Sequence, residues 1–209
     1  MGPLDPGDPP PRKYVLGNNV TVAVAREPVQ YLSADGKLIT DSLRDYTRIN
    51  LTRRYDSLDK FLQAWNSAER KAALLAELES HGVLFEALAD EMGHKDLDAF
   101  DLLVHIAWHQ PLQTRRQRAI KAKQRAAFER YGPLARRVID ALIDKYADHG
   151  IASIESDSVL TVQPFTQIGS PAELVRSFGG RAQYLDALRD VEQALYSNAT
   201  ASAQPPAQH

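Results

Sequence analysis

DAFDLLVHIAWHQPLQTRRQRAIKAKQRAAFERY (98–131) joins an apolar helix to a cationic one across a single proline. Phe100, Leu103, Val104 and Ala107 recur at helical spacing. Asp98 stands where an N-cap belongs, and Pro111 closes the segment because its ring cannot continue a helix. Thr114 followed by Gln117 has the capping-box pattern, in which each side chain bonds the other residue's backbone N–H. The helix launched there carries Arg115, Arg116, Arg118, Lys121, Lys123 and Arg125. At about 100° per residue, Arg115, Arg118, Lys121 and Arg125 fall within roughly a third of the circumference, so the spacing predicts one basic face.

Outward from this elbow, the chain of 209 residues and 23.3 kDa is long enough to bury about 70% of the surface its unfolded form exposes. Charge is near balance, 25 basic against 27 acidic residues, so there is no bulk attraction to nucleic acid and any such attraction is local. Without cysteine the chain has no disulfide, no thiolate nucleophile and no Cys-ligated zinc, in keeping with a reducing cytoplasm. No run of 18 apolar residues suggests a membrane span, and the N-terminal residues lack the apolar centre of a signal peptide. The expectation is a cytoplasmic protein with no membrane partner.

The prolines and glycines of 1–12 read as a stiff linker. Residues 13–40 alternate as short strands around Gly17-Asn18 and Asp35-Gly36 turns, predicting a small antiparallel β-hairpin sheet. From 41 to 196 the pattern is helical. Ser57 caps a helix through Phe61, Leu62 and Trp65; the next helices stop at Gly82 and Gly93. Pro133 opens a helix using Val138, Ile139, Leu142, Ile143 and Tyr146, with Gly150 just past its end. VLTVQPF (159–165) reads as one short strand. Ser170, Pro171 and Glu173 supply an N-cap, an N1 proline and a capping-box partner, Gly179-Gly180 breaks the chain, and Tyr184, Leu188, Val191 and Leu195 line the last helix. The tail 197–209 is expected to be disordered. The fold class is mainly α (α+β): a multi-helix, bundle-like domain with a small N-terminal β-hairpin sheet.

Between Leu112 and Arg137 there are nine Lys or Arg and one acid, whereas Glu77 to Asp101 holds eight acids and one Lys. Such residues ordinarily face water, but their segregation predicts a dipolar surface whose basic side meets phosphates or an acidic partner. Asp101, His105 and His109, spaced four apart, have the geometry of a zinc site, although packing beside Trp108 is the commoner use of such histidines and the general-base Glu of a zinc protease is missing at Ile106. Asp59, Glu69 and Lys71 imitate a magnesium nuclease, yet here Glu69-Arg70-Lys71 opens an Ala/Leu-rich helix where the nuclease motif needs a strand. No phosphate loop, GxGxxG or GxSxG occurs. No catalytic, cofactor-binding or metal-binding residue is expected.

GKLITDSLRDYTR (36–48), FLQAWNSAERK (61–71), LDAFDLLVHIAW (97–108), QPLQTRRQRA (110–119), LIDKYADHGI (142–151) and QPFTQIGSPAELVRSFGG (163–180) resemble the C-terminal domain of type I restriction enzyme R subunits of the EcoEI kind. The resemblance runs from about Tyr14 to Tyr196. It implies a parent with an N-terminal nuclease domain and two helicase lobes that hydrolyse ATP to translocate DNA, with ATP and Mg²⁺ bound outside the present stretch. The family's phosphate loop, helicase motifs and nuclease carboxylates match no position here, so the fragment itself is expected not to be an enzyme. The resemblance further implies docking on a methyltransferase core of modification and specificity subunits. The alternative is a DNA-binding surface that guides double-stranded DNA to the motor. For either contact the candidate residues are Arg115, Arg116, Arg118, Lys121, Lys123 and Arg125.

Overall fold

The computed structural model describes residues 42–93 and 95–196 in full, and only the backbone of 12–16, 20–24, 28–32 and 38–41. Those backbone segments, Arg12–Leu16, Val20–Val24, Pro28–Leu32 and Leu38–Ser42 (β1 to β4), pair antiparallel in chain order. The side chains of the sheet expected over 13–40, its two turns, residues 1–11 of the expected 1–12 linker and the 197–209 tail fall outside the described residues; Arg12 itself begins β1, and the architecture rests on the helices.

Ten α-helices follow among the described residues: α1 Leu43–Arg54, α2 Leu58–Ser67, α3 Lys71–Ser80, α4 Phe85–Glu91, α5 Ala99–Trp108, α6 Arg115–Lys123, α7 Pro133–His149, α8 Phe165–Ile168, α9 Pro171–Ser177 and α10 Arg181–Tyr196. None is long and apolar enough to cross a membrane. The caps read from sequence are in place. Ser57 accepts from Lys60 N–H, Asp98 accepts from Phe100 N–H, and Thr114/Gln117 and Ser170/Glu173 form reciprocal capping boxes. Gly82, Gly93, Gly150, Gly179 and Gly180 adopt positive φ at the breaks.

Central helix α7 buries Val138, Ile139, Leu142, Ile143 and Tyr146 and packs against α6, α8, α9 and α10. Apolar α5 packs on α1 and α4 and buries every residue from Phe100 to Val104. Between them lies an aromatic core. Phe61 stacks near Phe100 and Trp108, while Trp65 meets Phe100 and Tyr196 at 4.9 and 5.1 Å between ring centres.

The expected strand at 159–165 is absent. Val159–Thr161 forms a 3-10 turn and Phe165–Ile168 a short helix. Val159 and Leu160 are both buried though adjacent, which a one-faced strand forbids, and the Thr161 hydroxyl donates to the Ser158 carbonyl and holds the turn.

Candidate partner interface

Residues 109–114 return the chain along α5. His109 ends that helix in the left-handed conformation, φ 56°, and Leu97 forms an isolated antiparallel bridge with Thr114. A ten-residue helix is about 15 Å long, a span that six extended residues readily cover. Helix α6 therefore begins beside the beginning of α5. Asp101 and Arg118, each four residues beyond the bridged pair, are brought face to face.

Their contact is bidentate: Arg118 Nε and Nη2 donate to the two Asp101 oxygens at 2.5 and 2.8 Å. Nη1 donates to the Leu195 carbonyl in the last turn of α10 at 2.7 Å, and the guanidinium lies 5.2 Å from the Phe100 ring centre and 5.0 Å from that of Tyr196. Both partners are 2% exposed or less. Burial pushes the Asp101 carboxyl up to about 6 despite the pull of Arg118, which leaves it ionised at neutral pH, while the pairing with Asp101 holds the Arg118 guanidinium above its usual range. Beside them, buried Asp98 accepts from Phe100 N–H through one oxygen and from the Tyr146 and Tyr196 hydroxyls through the other.

These positions revise the predicted basic face. Arg118, Ala119 and Ala122 are buried and Arg115 and Arg125 half-buried, so the side of α6 expected to meet a partner is largely the side that the helix packs inward. The alanines mark the true core stripe. Arg118 is corrected from surface contact to internal strut, since its donors are committed to Asp101 and Leu195. Arg115 donates to the Leu97 and Lys95 carbonyls at 3.2 and 3.3 Å and fastens the return loop. The outward face carries Arg116, Gln117, Ile120, Lys123 and Gln124. Arg116 lies 3.7 Å from Asp148 and Lys123 2.6 Å from Asp144, so α7 answers two of these cations. Lys121 donates to Gln113 at 2.8 Å, and Ile120, 61% exposed, is the most exposed large apolar side chain described.

The Asp101, His105 and His109 constellation does not assemble. Both Asp101 oxygens face Arg118, His105 Nδ1–H donates to the Gln110 carbonyl at 2.7 Å, and His109 ends the helix. Among the described residues no group of three metal-ligating side chains comes together. Asp59 lies in the first turn of α2. The Lys71 ammonium is buried, bonded to the Ala68 carbonyl at 3.1 Å and 3.5 Å from Glu192.

A second buried polar cluster, unmarked by any motif, joins α3 to α10. The Glu155 oxygens accept from the backbone N–H groups of Lys71 and Ala72, both at 2.7 Å, which caps α3 from a distant loop. Glu192 hydrogen-bonds Glu155 and faces Lys71; burial, and next the charge of Glu155, lift its carboxyl to about 7. Only the odd placement of Glu192 among the apolar positions of α10 hints at this in the sequence.

A family model described as EcoEI R protein C-terminal matches residues 41–196. The chain is 44% identical over 197 residues to the Type I restriction enzyme EcoAI endonuclease subunit of Escherichia coli, an alignment that takes in 94% of this chain and 24% of that protein. The chain thus spans about a quarter of the length of this relative. No solved structure matches it. On the extent of the family match and the level of identity, the chain belongs to the EcoEI R protein C-terminal family, the C-terminal domain of type I restriction enzyme endonuclease subunits.

Proposed function

We propose that this domain is an assembly module, holding a DNA-translocating nuclease subunit on a methyltransferase core made of modification and specificity subunits. The observation that carries the reading is where the charged groups go. Asp98, Asp101, Arg118, Lys71, Glu155 and Glu192 are all buried, and each is bonded to another helix or loop of the domain. Groups of this kind, so placed, rigidify a body that presents surfaces and leave little for chemistry at a cleft. In this proposal ATP and Mg²⁺ are handled by other parts of the longer subunit.

The alternative, a surface guiding double-stranded DNA, draws on the same six cations, five on α6 and Arg125 just beyond it. Of these, Arg118 is enclosed, and Arg116 and Lys123 lie within ion-pair distance of Asp148 and Asp144. The outward charge is thus partly answered within the domain, and the log–log salt slope of about −4 to −5 that four to six phosphate contacts give is the measurement that separates the two readings.

Pull-down of the tagged chain with purified methyltransferase core tests the proposal. The core is expected to be retained, and deletion of 41–196 from the longer subunit is expected to release that subunit from the core. Failure of the chain to retain the core, together with duplex binding of steep salt dependence, would replace assembly with DNA guidance.

A further inference from the structure

The described residues contain an open groove of about 740 Å³ between α3, α4, the start of α5 and the loop after α7. Its floor is apolar, with half-buried Leu75 and Phe85 above buried Leu102. Helix α3 is sparsely covered: of its ten residues only Lys71 and Leu78 are buried, although the helix is built largely of alanine and leucine. Among the described residues, Leu74 and Leu75 of this helix pack on the core yet stay only partly buried.

Along α3 and α4 the rim is acidic, with Glu79, Glu86 and Asp90; Lys95, Arg115 and His149 also line the groove, and the Arg115 donors are taken up by the Leu97 and Lys95 carbonyls. Asp90 has a loose, exposed partner in Lys95 at 3.8 Å. Among the described residues, Glu79 and Glu86 have no cation within ion-pair distance; burial first, and the negative charge of Glu86 second, lift the Glu79 carboxyl above its ordinary value. Two like charges beside an apolar trough are a standing electrostatic cost that an incoming cation removes.

We propose that this groove docks an amphipathic helix of a partner subunit that carries lysine or arginine beside its apolar face. The chain's own ends do not meet the description, because neither 1–11 nor 197–209 contains a lysine or arginine. The inference deepens the assembly reading and rests on it for the partner's identity, while the groove itself is testable without the partner.

The probe is a labelled helical peptide with leucines along one face and lysines along the other, titrated into the full chain by fluorescence anisotropy. Saturable, salt-sensitive binding is expected. Glu79→Lys with Glu86→Lys should weaken it about tenfold or more, Glu79→Gln with Glu86→Gln by less, and Arg176→Gln, exposed on α9 and outside the groove lining, not at all. Circular dichroism confirms that each variant folds, and the glutamine pair serves if the lysine pair does not. A scrambled peptide of equal composition, or one with glutamates for lysines, should not bind. The groove reading is overturned if the native chain fails to bind the probe, if the charge-altered chains bind it equally, or if the scrambled peptide binds as well. Self-association of the chain alone, abolished by the same reversal, overturns it in favour of a second copy. Retention of the methyltransferase core by the chain but equally by the Glu79/Glu86 variants would remove the groove and leave assembly standing, whereas peptide binding without core retention would do the opposite.

Discussion

Arg118 surrenders its hydration to lie between Asp101, the Leu195 carbonyl and two aromatic rings, and only the completeness of those contacts makes the exchange tolerable. Removing one member therefore costs more than the pair contributes. Arg118→Met should lower unfolding stability by about 3–5 kcal/mol in urea titration, because it strands a buried carboxylate and an unanswered carbonyl. Replacing both, Asp101→Leu with Arg118→Met, should recover much of that loss, and a single-variant loss below about 1 kcal/mol would disprove the strut. Neither partner's role was legible beforehand. Charge counting marked Arg118 as a surface cation, since residue type alone does not say which side of a helix faces inward. The signal was the pair Ala119 and Ala122, too small to weigh against six cations.

The second residue-scale consequence concerns protons. Glu192 holds its proton in the folded state up to about pH 7, whereas an unfolded glutamate releases it near 4.5. The folded chain thus binds more protons between these values, so this group's contribution is full below about pH 4.5 and is lost as pH rises through about 7. Glu192→Gln mimics the protonated acid, and relative to the native chain its stability should improve by about 1–3 kcal/mol from pH 5 to pH 8 in parallel denaturant titrations. A difference that stays constant with pH would refute the proton sharing with Glu155.

Helices were the most legible level, because their ends are set by local chemistry. Ser57, Asp98, Thr114, Ser170, Pro133 and Gly150 all act as their types and spacings dictate. Helix α3 is capped from farther away. Its N-cap residue, Arg70, makes no side-chain cap bond, and the first N–H groups are satisfied from Glu155, more than 80 residues away in sequence. No local rule reads a cap supplied from elsewhere. Glu155→Ala should cost about 1–2 kcal/mol and accelerate amide exchange in α3 ahead of α7; uniform exchange across both helices would contradict this assignment. The misread segment at 159–165 has a related cause, since a short apolar run bounded by proline fits a strand or a buried turn equally well.

At the scale of the molecule, composition anticipated a helical body, and the quoted motifs, in family order, identified its relatives. What they did not convey was the sense in which charge is used. The basic segment and the acidic one that precedes it are adjacent in sequence, and the fold sends part of each inward while α7 answers two of the cations left outside. The dipole implied by counting is therefore smaller in the folded chain. Among the described residues, Glu79 and Glu86 on the acidic side have no cation within ion-pair distance, and the proposed partner contact lies there.

The grip of Arg118 on Leu195 also sets a timetable for synthesis. The arginine and its carboxylate leave the ribosome long before the final helix does, so the nascent chain carries an open polar seam against its aromatic interior that nothing yet closes. Only emergence of the last helical turn supplies the missing carbonyl and the Tyr196 ring, and a chain stalled short of that point would await completion as a sticky, half-built body.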